Sequence, residues 1–220
     1  MAKRIGVLLS GCGVMDGSEI HEAVLTLLAI DNAGAEAVCM APNVDQMHVV
    51  NHLTGQPASG QRRNILEEAA RIARGKIRDL ATIKAADLDG LVLPGGFGAA
   101  KNLCTYATEG INCKVNPEVA RIVREMRAAG KPIAAICIAP VLLAKILGKD
   151  VAATVTIGTD TATANDIGQL GGRHMNCSAK DFVVDKANKI VTTPAYMLAQ
   201  SIGEAAAGIE KTVRALVEMA

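Results

Sequence analysis

The chain has 220 residues, of which 50% are apolar and 20% are charged. A disordered or fibrous chain is therefore excluded, because the sequence can bury a full core. Lys and Arg number 23 against 22 Asp and Glu, a net charge of +1. This balance leaves no surplus of positive charge for sequence-independent binding to nucleic acid or to an anionic membrane surface. Small molecules or other proteins are the expected partners.

Aromatic residues are scarce. The chain has two Phe, two Tyr and no Trp, which argues against a stacking platform for bases or an aromatic cage for cations. The four are Phe97, Tyr106, Phe182 and Tyr196. We therefore expect a functional site built from glycine, alanine and backbone N–H groups, suited to a substrate of two or three carbon atoms.

The six cysteines predict reduced thiols. No pair has the CxxC spacing, and the four histidines show no zinc-ligand spacing with them. A chain of this size and apolar content does not need disulfides to hold its core. The apolar run from Ile5 to Leu9 is too short for the core of a secretory signal, and no apolar stretch approaches the length of a membrane span. The prediction is a cytoplasmic protein with no metal site and no membrane attachment.

Short apolar runs alternate with helical patterns along the chain, which indicates an α/β protein. Strands are predicted at Ile5 to Leu9, Ala37 to Ala41, Lys76 to Leu80, Gly90 to Pro94, Pro132 to Ile136, Ala153 to Ile157, Phe182 to Asp185 and Ile190 to Thr193. The last two strands are joined by a turn-like segment at 185–189 and form a predicted antiparallel hairpin. The most loop-like segment runs from Gly55 to Gly60.

Three helical stripes of apolar residues are predicted to face the core. The first contains Ile20, Val24, Leu27 and Leu28; the second Val119, Ile122, Val123 and Met126; the third Ile202, Ala206, Ile209, Val213 and Leu216. No linker, repeat or low-complexity segment divides the sequence. The prediction is one domain over residues 1–220, with a mostly parallel sheet between helices on both faces.

Cys137 stands where a buried strand turns into a helix. The strand from Pro132 ends at the cysteine, and Pro140 occupies a position that suits only the first turn of a helix. This pattern predicts a nucleophile elbow, in which the side chain lies at the carboxyl end of the sheet and the N–H groups of the helix favour a thiolate. The alternative interpretation is a buried cysteine of the core.

A second motif follows the strand that ends at Pro94. Gly95 and Gly96 come directly after it, and paired glycines let backbone N–H groups approach a bound oxygen. The N–H groups of Gly96 and Ile138 are candidate oxyanion donors, and Gly95 belongs to the same substrate-binding loop. The alternative is a tight turn that needs glycine only for its geometry. Neither a dinucleotide fingerprint nor a P-loop is present.

The third motif is a glycine-rich loop that leads from the first strand into the first helix. Ser18 is the predicted helix cap, and Glu19 lies near the helix N-terminus, where an acid favours the dipole. Glu22 is expected on the inward side of the helix. A buried carboxyl group needs a polar partner, and a protonated Glu22 hydrogen-bonded to a cysteine sulfur would satisfy it.

These motifs together resemble a known family. The stretches AAICIAP, LPGGFGAAKNL, SGCGVMDGSEIHEAVLTLLA and KIVTTPAYMLAQ are similar to those of the PfpI superfamily of class I amidotransferase-like proteins. The resemblance is strongest to its ElbB branch, which is named for enhancing lycopene biosynthesis and is also described as a glyoxalase. The likeness covers essentially the whole chain.

The resemblance implies a flavodoxin-like three-layer sandwich, a homodimer, a nucleophilic Cys137 and a Glu22 hydrogen-bonded to it. Many relatives place a histidine directly after the cysteine or in the strand that follows. Here Ile138 follows the cysteine, and residues 155–160 contain no histidine. His174 is the only histidine downstream and is a candidate for that role, while Cys12, in the first glycine loop, is a candidate second thiol.

The function that these residues predict is a cofactor-free, cysteine-dependent glyoxalase of the lyase class that converts glyoxal into glycolate. Two alternatives remain. The protein is a redox-responsive or stress-responsive regulator with an oxidisable Cys137, or it is a glutaminase or amidotransferase subunit, whose chemistry normally needs a histidine base. A link to isoprenoid biosynthesis comes only with the family resemblance.

Overall fold

The computed structural model describes residues 2–220. Seven strands form the main sheet. They are β1 (Arg4–Leu8), β2 (Glu36–Ala41), β5 (Ile77–Asp79), β6 (Gly90–Leu93), β7 (Ile133–Ile136), β10 (Val183–Asp185) and β11 (Ile190–Thr193). Their order across the sheet is β10-β11-β7-β6-β1-β2-β5. All pair in parallel except β10, which is antiparallel to β11. The predicted flavodoxin-like α/β fold and its C-terminal hairpin are confirmed; the organisation as one domain stays a prediction.

Helices cover both faces of this sheet. The longer ones are α1 (Ile20–Asn32), α2 (Ile65–Ile72), α5 (Pro117–Ala128), α6 (Pro140–Val151), α7 (Thr161–Gln169) and α8 (Ile202–Met219), with the short α3 (Phe97–Lys101) and α4 (Tyr106–Glu109) between them. Successive strand residues point to opposite faces, so Ala134 and Ile136 of β7 join the core under α1, α2 and α8, whereas Ile133 and Ala135 join the core under α5 and α6. The result is a three-layer sandwich.

Two sequence predictions of secondary structure are confirmed only in part. The segment from Ala153 to Ile157 contributes only β8 (Thr154–Val155), which pairs with β9 (Arg173–His174) in a separate two-stranded sheet. The strand ends there because the N–H of Thr156 donates to the side chain of Thr192 instead of to a neighbouring backbone. The loop predicted from Gly55 to Gly60 contains β4 (Gln56–Pro57), paired with β3 (Val50–Asn51) in a small hairpin.

Three of the four residues of the apolar stripe predicted on α1 lie outside the core, whereas Leu27 is partly buried and packs against it. Ile20, Val24 and Leu28 are 42%, 47% and 53% exposed. The helix instead buries Glu22, Ala23, Thr26, Ala29 and Ile30, because the carboxyl of Glu22 points into the sheet edge and fixes the rotation of the helix. The stripe on α5 is buried as predicted, and so is the stripe on α8 from Ile209 onward, although Ile202 is exposed.

The described residues contain no helix that is both long and apolar enough to cross a membrane. Within residues 2–220, no three His, Cys, Asp or Glu side chains converge in a way that would hold a metal ion.

Candidate active site

Four neighbouring parallel strands end at the same edge of the sheet. In spatial order they are β11, β7, β6 and β1, and the loops that follow them carry Tyr196, Cys137, Gly95 and the segment 9–19. Ligands of open α/β sheets bind outside the carboxyl ends of the strands. The topology therefore brings together segments that are far apart in sequence.

Cys137 has the backbone of a nucleophile elbow. Its φ is +63°, a left-handed conformation that is uncommon for a residue with a side chain and that is found at functional sites. Its N–H donates to the carbonyl of Thr193 at the end of β11, which anchors the turn. α6 begins three residues later, with Pro140 in its first turn, as predicted. The side chain is 8% exposed.

Two backbone N–H groups, those of Gly96 and Ile138, point at the Cys137 sulfur and lower the pKa of the thiol. Burial and the adjacent charge of Glu22 act in the opposite direction and are stronger, so the pKa of Cys137 lies well above its ordinary value. The thiolate expected from the sequence thus requires that Glu22 carry a proton.

Glu22 is completely buried and lies beside the thiol. Its Oε2 accepts a hydrogen bond from the N–H of Gly95 at 3.0 Å, and its Oε1 accepts one from the N–H of Tyr196 at 3.1 Å. Burial raises the pKa of this carboxyl to about 8, and the charge of Glu19 contributes in the same direction. Glu22 therefore keeps its proton over most of the neutral range.

Gly95 makes this contact feasible. A Cβ at this position would lie 2.4 Å from the Cβ of Cys137 and 2.6 Å from Oε2 of Glu22. Its N–H serves the carboxyl, whereas the N–H of Gly96 serves the sulfur. Gly96 has φ +93°, and a Cβ there would lie 2.3 Å from the backbone nitrogen of Glu19. Both interpretations of the motif therefore apply: the two positions need glycine for their geometry, and their N–H groups donate to the site.

The glycine loop after β1 supports this arrangement from outside. Glu19, not Ser18, is the N-cap of α1, and its carboxylate accepts from the N–H of Glu22 at 2.6 Å. Ser18 is not the cap because its hydroxyl is turned inward and accepts from the N–H of Ser10. The carbonyl of Gly17 accepts from the N–H of Gly98, which ties the two glycine-rich loops together.

A cavity of about 330 Å³ lies over the thiol. Three of the four aromatic residues line it, namely Phe97, Tyr106 and Tyr196, so the expectation of a site without aromatic rings is wrong. Glu19, Gly96, Cys137 and Ile138 contribute to the wall as well, and the described lining includes no Lys, Arg or His. Negative charge on a bound substrate would therefore be stabilised by backbone N–H groups and by the proton of Glu22.

The structure does not bring Cys12 or His174 to this cavity. Neither is among the lining residues. Cys12 is half-buried, and its charged neighbours are Glu68, Arg71, Asp16 and Arg63. Nε2 of His174 accepts a hydrogen bond from the N–H of Ile157 at 3.3 Å, and desolvation lowers the pKa of its ring. The candidate roles of these two residues stay untested predictions.

Sequence reasoning missed Tyr196 and its partner His21, whose Nδ1 lies 2.9 Å from the phenol oxygen. A signal was present, because Tyr196 follows the carboxyl end of the buried strand β11 just as Cys137 follows β7. The 175-residue separation between His21 and Tyr196 gives no local pattern that would link them.

Comparisons with known proteins agree with this architecture. The chain is 48% identical over 227 residues to a human protein named glutamine amidotransferase-like class 1 domain-containing protein 3, mitochondrial, covering 99% of this chain and 84% of the relative. It is 45% identical to the rat ES1 protein homolog, mitochondrial, covering 98% and 84% respectively.

Among solved structures, the chain is similar to an isoprenoid biosynthesis protein with amidotransferase-like domain from Ehrlichia chaffeensis. The identity is 39%, the TM-score is 0.93, and 99% of each chain is covered. The model of the DJ-1/PfpI family matches residues 13–199, which include Glu22, Gly95, Cys137 and Tyr196. The chain has the class I glutamine amidotransferase-like fold and belongs to the DJ-1/PfpI family.

Proposed function

We propose that the protein is a glyoxalase that converts glyoxal into glycolate through a hemithioacetal on Cys137, without glutathione, metal or organic cofactor. The observation that carries this proposal is the pairing of a buried carboxyl group, Glu22, with a thiol at the floor of a cavity. A carboxyl with a pKa of about 8 is matched to both giving and taking protons near neutral pH.

The first step is addition of sulfur to one carbonyl carbon. The reacting form has the proton on Glu22 and a thiolate at Cys137; burial makes this a minor form, and the N–H groups of Gly96 and Ile138 stabilise it. The C–S bond forms, the carbonyl electron pair moves to oxygen, and the new oxyanion takes the proton of Glu22. The products are a hemithioacetal and an ionised Glu22, which the N–H groups of Gly95 and Tyr196 stabilise in turn.

The second step moves hydrogen between the two carbon atoms. Glu22 removes the proton from the carbon bound to sulfur and returns it to the neighbouring carbon. The first carbon becomes the carbonyl of a thioester and the second bears a hydroxyl group. Water then cleaves the C–S bond, which releases glycolate and restores the thiol. The overall reaction consumes one glyoxal and one water, so that no oxidant or reductant is needed.

The cavity also bears on the substrate class. Its volume of about 330 Å³ reaches the range that holds drug-sized ligands, roughly 300–1,000 Å³, and its wall is mostly apolar and aromatic. We therefore include 2-oxoaldehydes with an apolar or aromatic substituent among the proposed substrates, beside glyoxal itself.

The test is steady-state kinetics on glyoxal, methylglyoxal, phenylglyoxal and glutamine, with Cys137→Ala as the blank. We expect turnover of at least one 2-oxoaldehyde, and a loss of at least ~10²-fold in the variant, the scale of an essential group in acid–base or nucleophilic chemistry. Turnover of 2-oxoaldehydes that survives in Cys137→Ala would sink the proposal.

Glutamine is included because the relatives' names point to amidotransferases. If the protein releases ammonia from glutamine, loses this activity in Cys137→Ala and turns over no 2-oxoaldehyde, its function is that of an amidotransferase and not that of a glyoxalase. The described cavity wall counts against this outcome, since it holds no histidine to act as the base. A regulator would instead show selective oxidation of Cys137 by mild peroxide, detected by mass spectrometry, with no turnover of any substrate.

Three further parts of the proposal concern context. Membership of the ElbB branch and a link to isoprenoid biosynthesis are supported by the likeness to the Ehrlichia protein. A cytoplasmic location stays a prediction, and the human and rat relatives are named as mitochondrial.

A homodimer is supported by the exposed stripe Ile20, Val24 and Leu28, since apolar patches of this kind mark protein interfaces. Light scattering that reports a monomer would contradict the dimer.

A further inference from the structure

Tyr196 is fixed at the cavity through both its backbone and its side chain. Its N–H donates to Oε1 of Glu22, and its ring forms part of the cavity wall. The preceding Ala195 is completely buried and has φ +42°, an uncommon conformation for a residue with a Cβ. Such strain persists only where the surrounding structure imposes it, and here it turns Tyr196 back toward Glu22.

His21 extends this contact to the surface. It immediately precedes Glu22 on α1, so the carboxyl points inward while the imidazole remains exposed. Its Nδ1 lies 2.9 Å from the phenol oxygen of Tyr196, and the two ring centroids are 5.8 Å apart. The phenol of a residue that lines the cavity is therefore linked to an imidazole in contact with solvent.

The proposed reaction requires a proton transfer that Glu22 does not perform. Glu22 carries the proton that moves between the two carbon atoms. In the same step the oxygen on the first carbon must lose a proton to become a carbonyl, while the oxygen on the second carbon must gain one to become a hydroxyl. The N–H groups of Gly96 and Ile138 are placed to stabilise the first oxygen. For the second oxygen the cavity wall offers the hydroxyl groups of Tyr196 and Tyr106, and the hydroxyl of Tyr106 already donates to Asp166.

We propose that Tyr196 and His21 form a proton relay that protonates the second oxygen and links it to solvent; this inference rests on the proposed glyoxalase reaction. The phenol O–H gives its proton to the second oxygen as the carbon proton leaves for Glu22. The Nδ1–H of His21 replaces the proton on the phenol oxygen while its Nε2 takes up a proton from solvent, and the proton later lost from the first oxygen returns to solvent. Atoms and charges balance over the cycle.

The state of the phenol agrees with this role. Burial, together with the nearby charges of Glu19 and Glu22, raises the pKa of Tyr196 above its ordinary value. The hydroxyl therefore keeps its proton at neutral pH and is available as a donor. In this relay Tyr196 contacts the substrate, whereas His21 acts through Tyr196 as a positioning and proton-supplying residue.

The test compares Tyr196→Phe and His21→Ala with the unmodified protein on the best 2-oxoaldehyde substrate. Tyr196→Phe keeps the ring and the backbone N–H to Glu22, so we expect kcat to fall by about 10²-fold or more while KM changes little. His21→Ala is expected to lose at least about 10-fold in kcat, because water is a poorer proton donor to the phenol. His48→Ala, which removes another exposed histidine, is the matched control and retains full activity.

Chemical rescue separates a relay from a structural role. Because His21 is exposed, imidazole added to the buffer can reach its place and is expected to restore much of the kcat of His21→Ala, but none of that of Tyr196→Phe. Tyr196→Phe with the kcat of the unmodified protein would overturn the relay, and so would a weakened His21→Ala that imidazole does not rescue. Absence of 2-oxoaldehyde turnover in the unmodified protein would instead refute the glyoxalase itself, and the relay with it.

Discussion

Cys137 and Cys12 both lie in loops at the carboxyl edge of the sheet, but their surroundings are very different. Each follows the carboxyl end of a parallel strand, β7 for Cys137 and β1 for Cys12. Two N–H groups and a buried carboxyl converge on Cys137. Cys12 instead lies beside Glu68 and the arginines Arg63 and Arg71, and burial together with the charge of Glu68 raises the pKa of its thiol. Position at the strand end is therefore not sufficient to make a reactive cysteine.

The backbone explains the difference between the two thiols. The turn at Cys137 places the cysteine itself at φ +63°, directly before a helix, so that N–H groups face its sulfur. In the loop of Cys12 the left-handed conformations fall on the glycines at either side, Gly11 and Gly13. That loop packs against the loop of Gly96 and Gly98. The turn at Cys137 thus presents a reactive side chain, whereas the loop of Cys12 positions the neighbouring loop of Gly96 and Gly98.

The largest expected effect comes from replacing Glu22, the buried carboxyl that lies beside Cys137 and has no counterpart beside Cys12. Glu22→Gln keeps the size of the side chain but cannot take a proton from the substrate carbon. We expect kcat on a 2-oxoaldehyde to fall by at least ~10²-fold, measured beside Cys137→Ala. Turnover near that of the unmodified protein would remove Glu22 from the mechanism.

Gly95→Ala tests the close approach that only the Cys137 site contains. The added methyl group would overlap both Cys137 and Glu22 and would force them apart. We expect a loss of about 10²-fold in kcat/KM, since misplacement by about 1 Å costs that much. The matched control is Gly168→Ala in α7, where a Cβ meets nothing within 4 Å; it should leave kcat/KM unchanged and slightly stabilise the helix. Equal activity of the two variants would contradict the packing argument.

The buried carboxyl should also give the free energy of unfolding a pH dependence. Because the pKa of Glu22 is about 8 in the folded protein and its ordinary value is 4.5, the folded protein binds more protons than the unfolded chain between these pH values. Its contribution to stability is fully present below pH 4.5 and is lost as the pH rises through 8. The slope is at most about 1.4 kcal/mol per pH unit. Denaturant unfolding at pH 5, 7 and 9 should show a smaller fall for Glu22→Gln than for the unmodified protein, and parallel falls would refute the raised pKa.

The sequence is most informative where chemistry depends on neighbouring residues. The elbow at Cys137, the glycines at 95 and 96 and the inward Glu22 each have a local pattern, and the structure brings all of them to one place. The approach of His21 to Tyr196 joins α1 to the loop after β11, although β7 and β6 lie between β11 and β1 in the sheet. No pattern of residue spacing in the sequence predicts this contact.

Two errors have a similar origin. The stripe on α1 follows helical periodicity, yet the burial of Glu22 turns Ile20, Val24 and Leu28 outward. Periodicity identifies an apolar face, but it does not say whether the sheet or a second chain covers that face. Likewise, the scarcity of aromatic residues in the whole chain does not predict their distribution, and three of the four gather at the cavity.

The smallest expected effect is that of Cys12→Ser, which separates the two thiols directly. The substitution keeps a small polar side chain in the loop and changes none of the N–H groups that face Cys137 or Glu22. We expect kcat and KM on the best 2-oxoaldehyde to match those of the unmodified protein, because Cys12 is not among the residues that line the cavity. The same assay on Cys137→Ser should show the loss seen in Cys137→Ala, since a hydroxyl is a far weaker nucleophile than a thiolate at neutral pH. A loss in Cys12→Ser comparable to that in Cys137→Ser would mean that both thiols act in the reaction, and the contrast between the two loops would no longer hold.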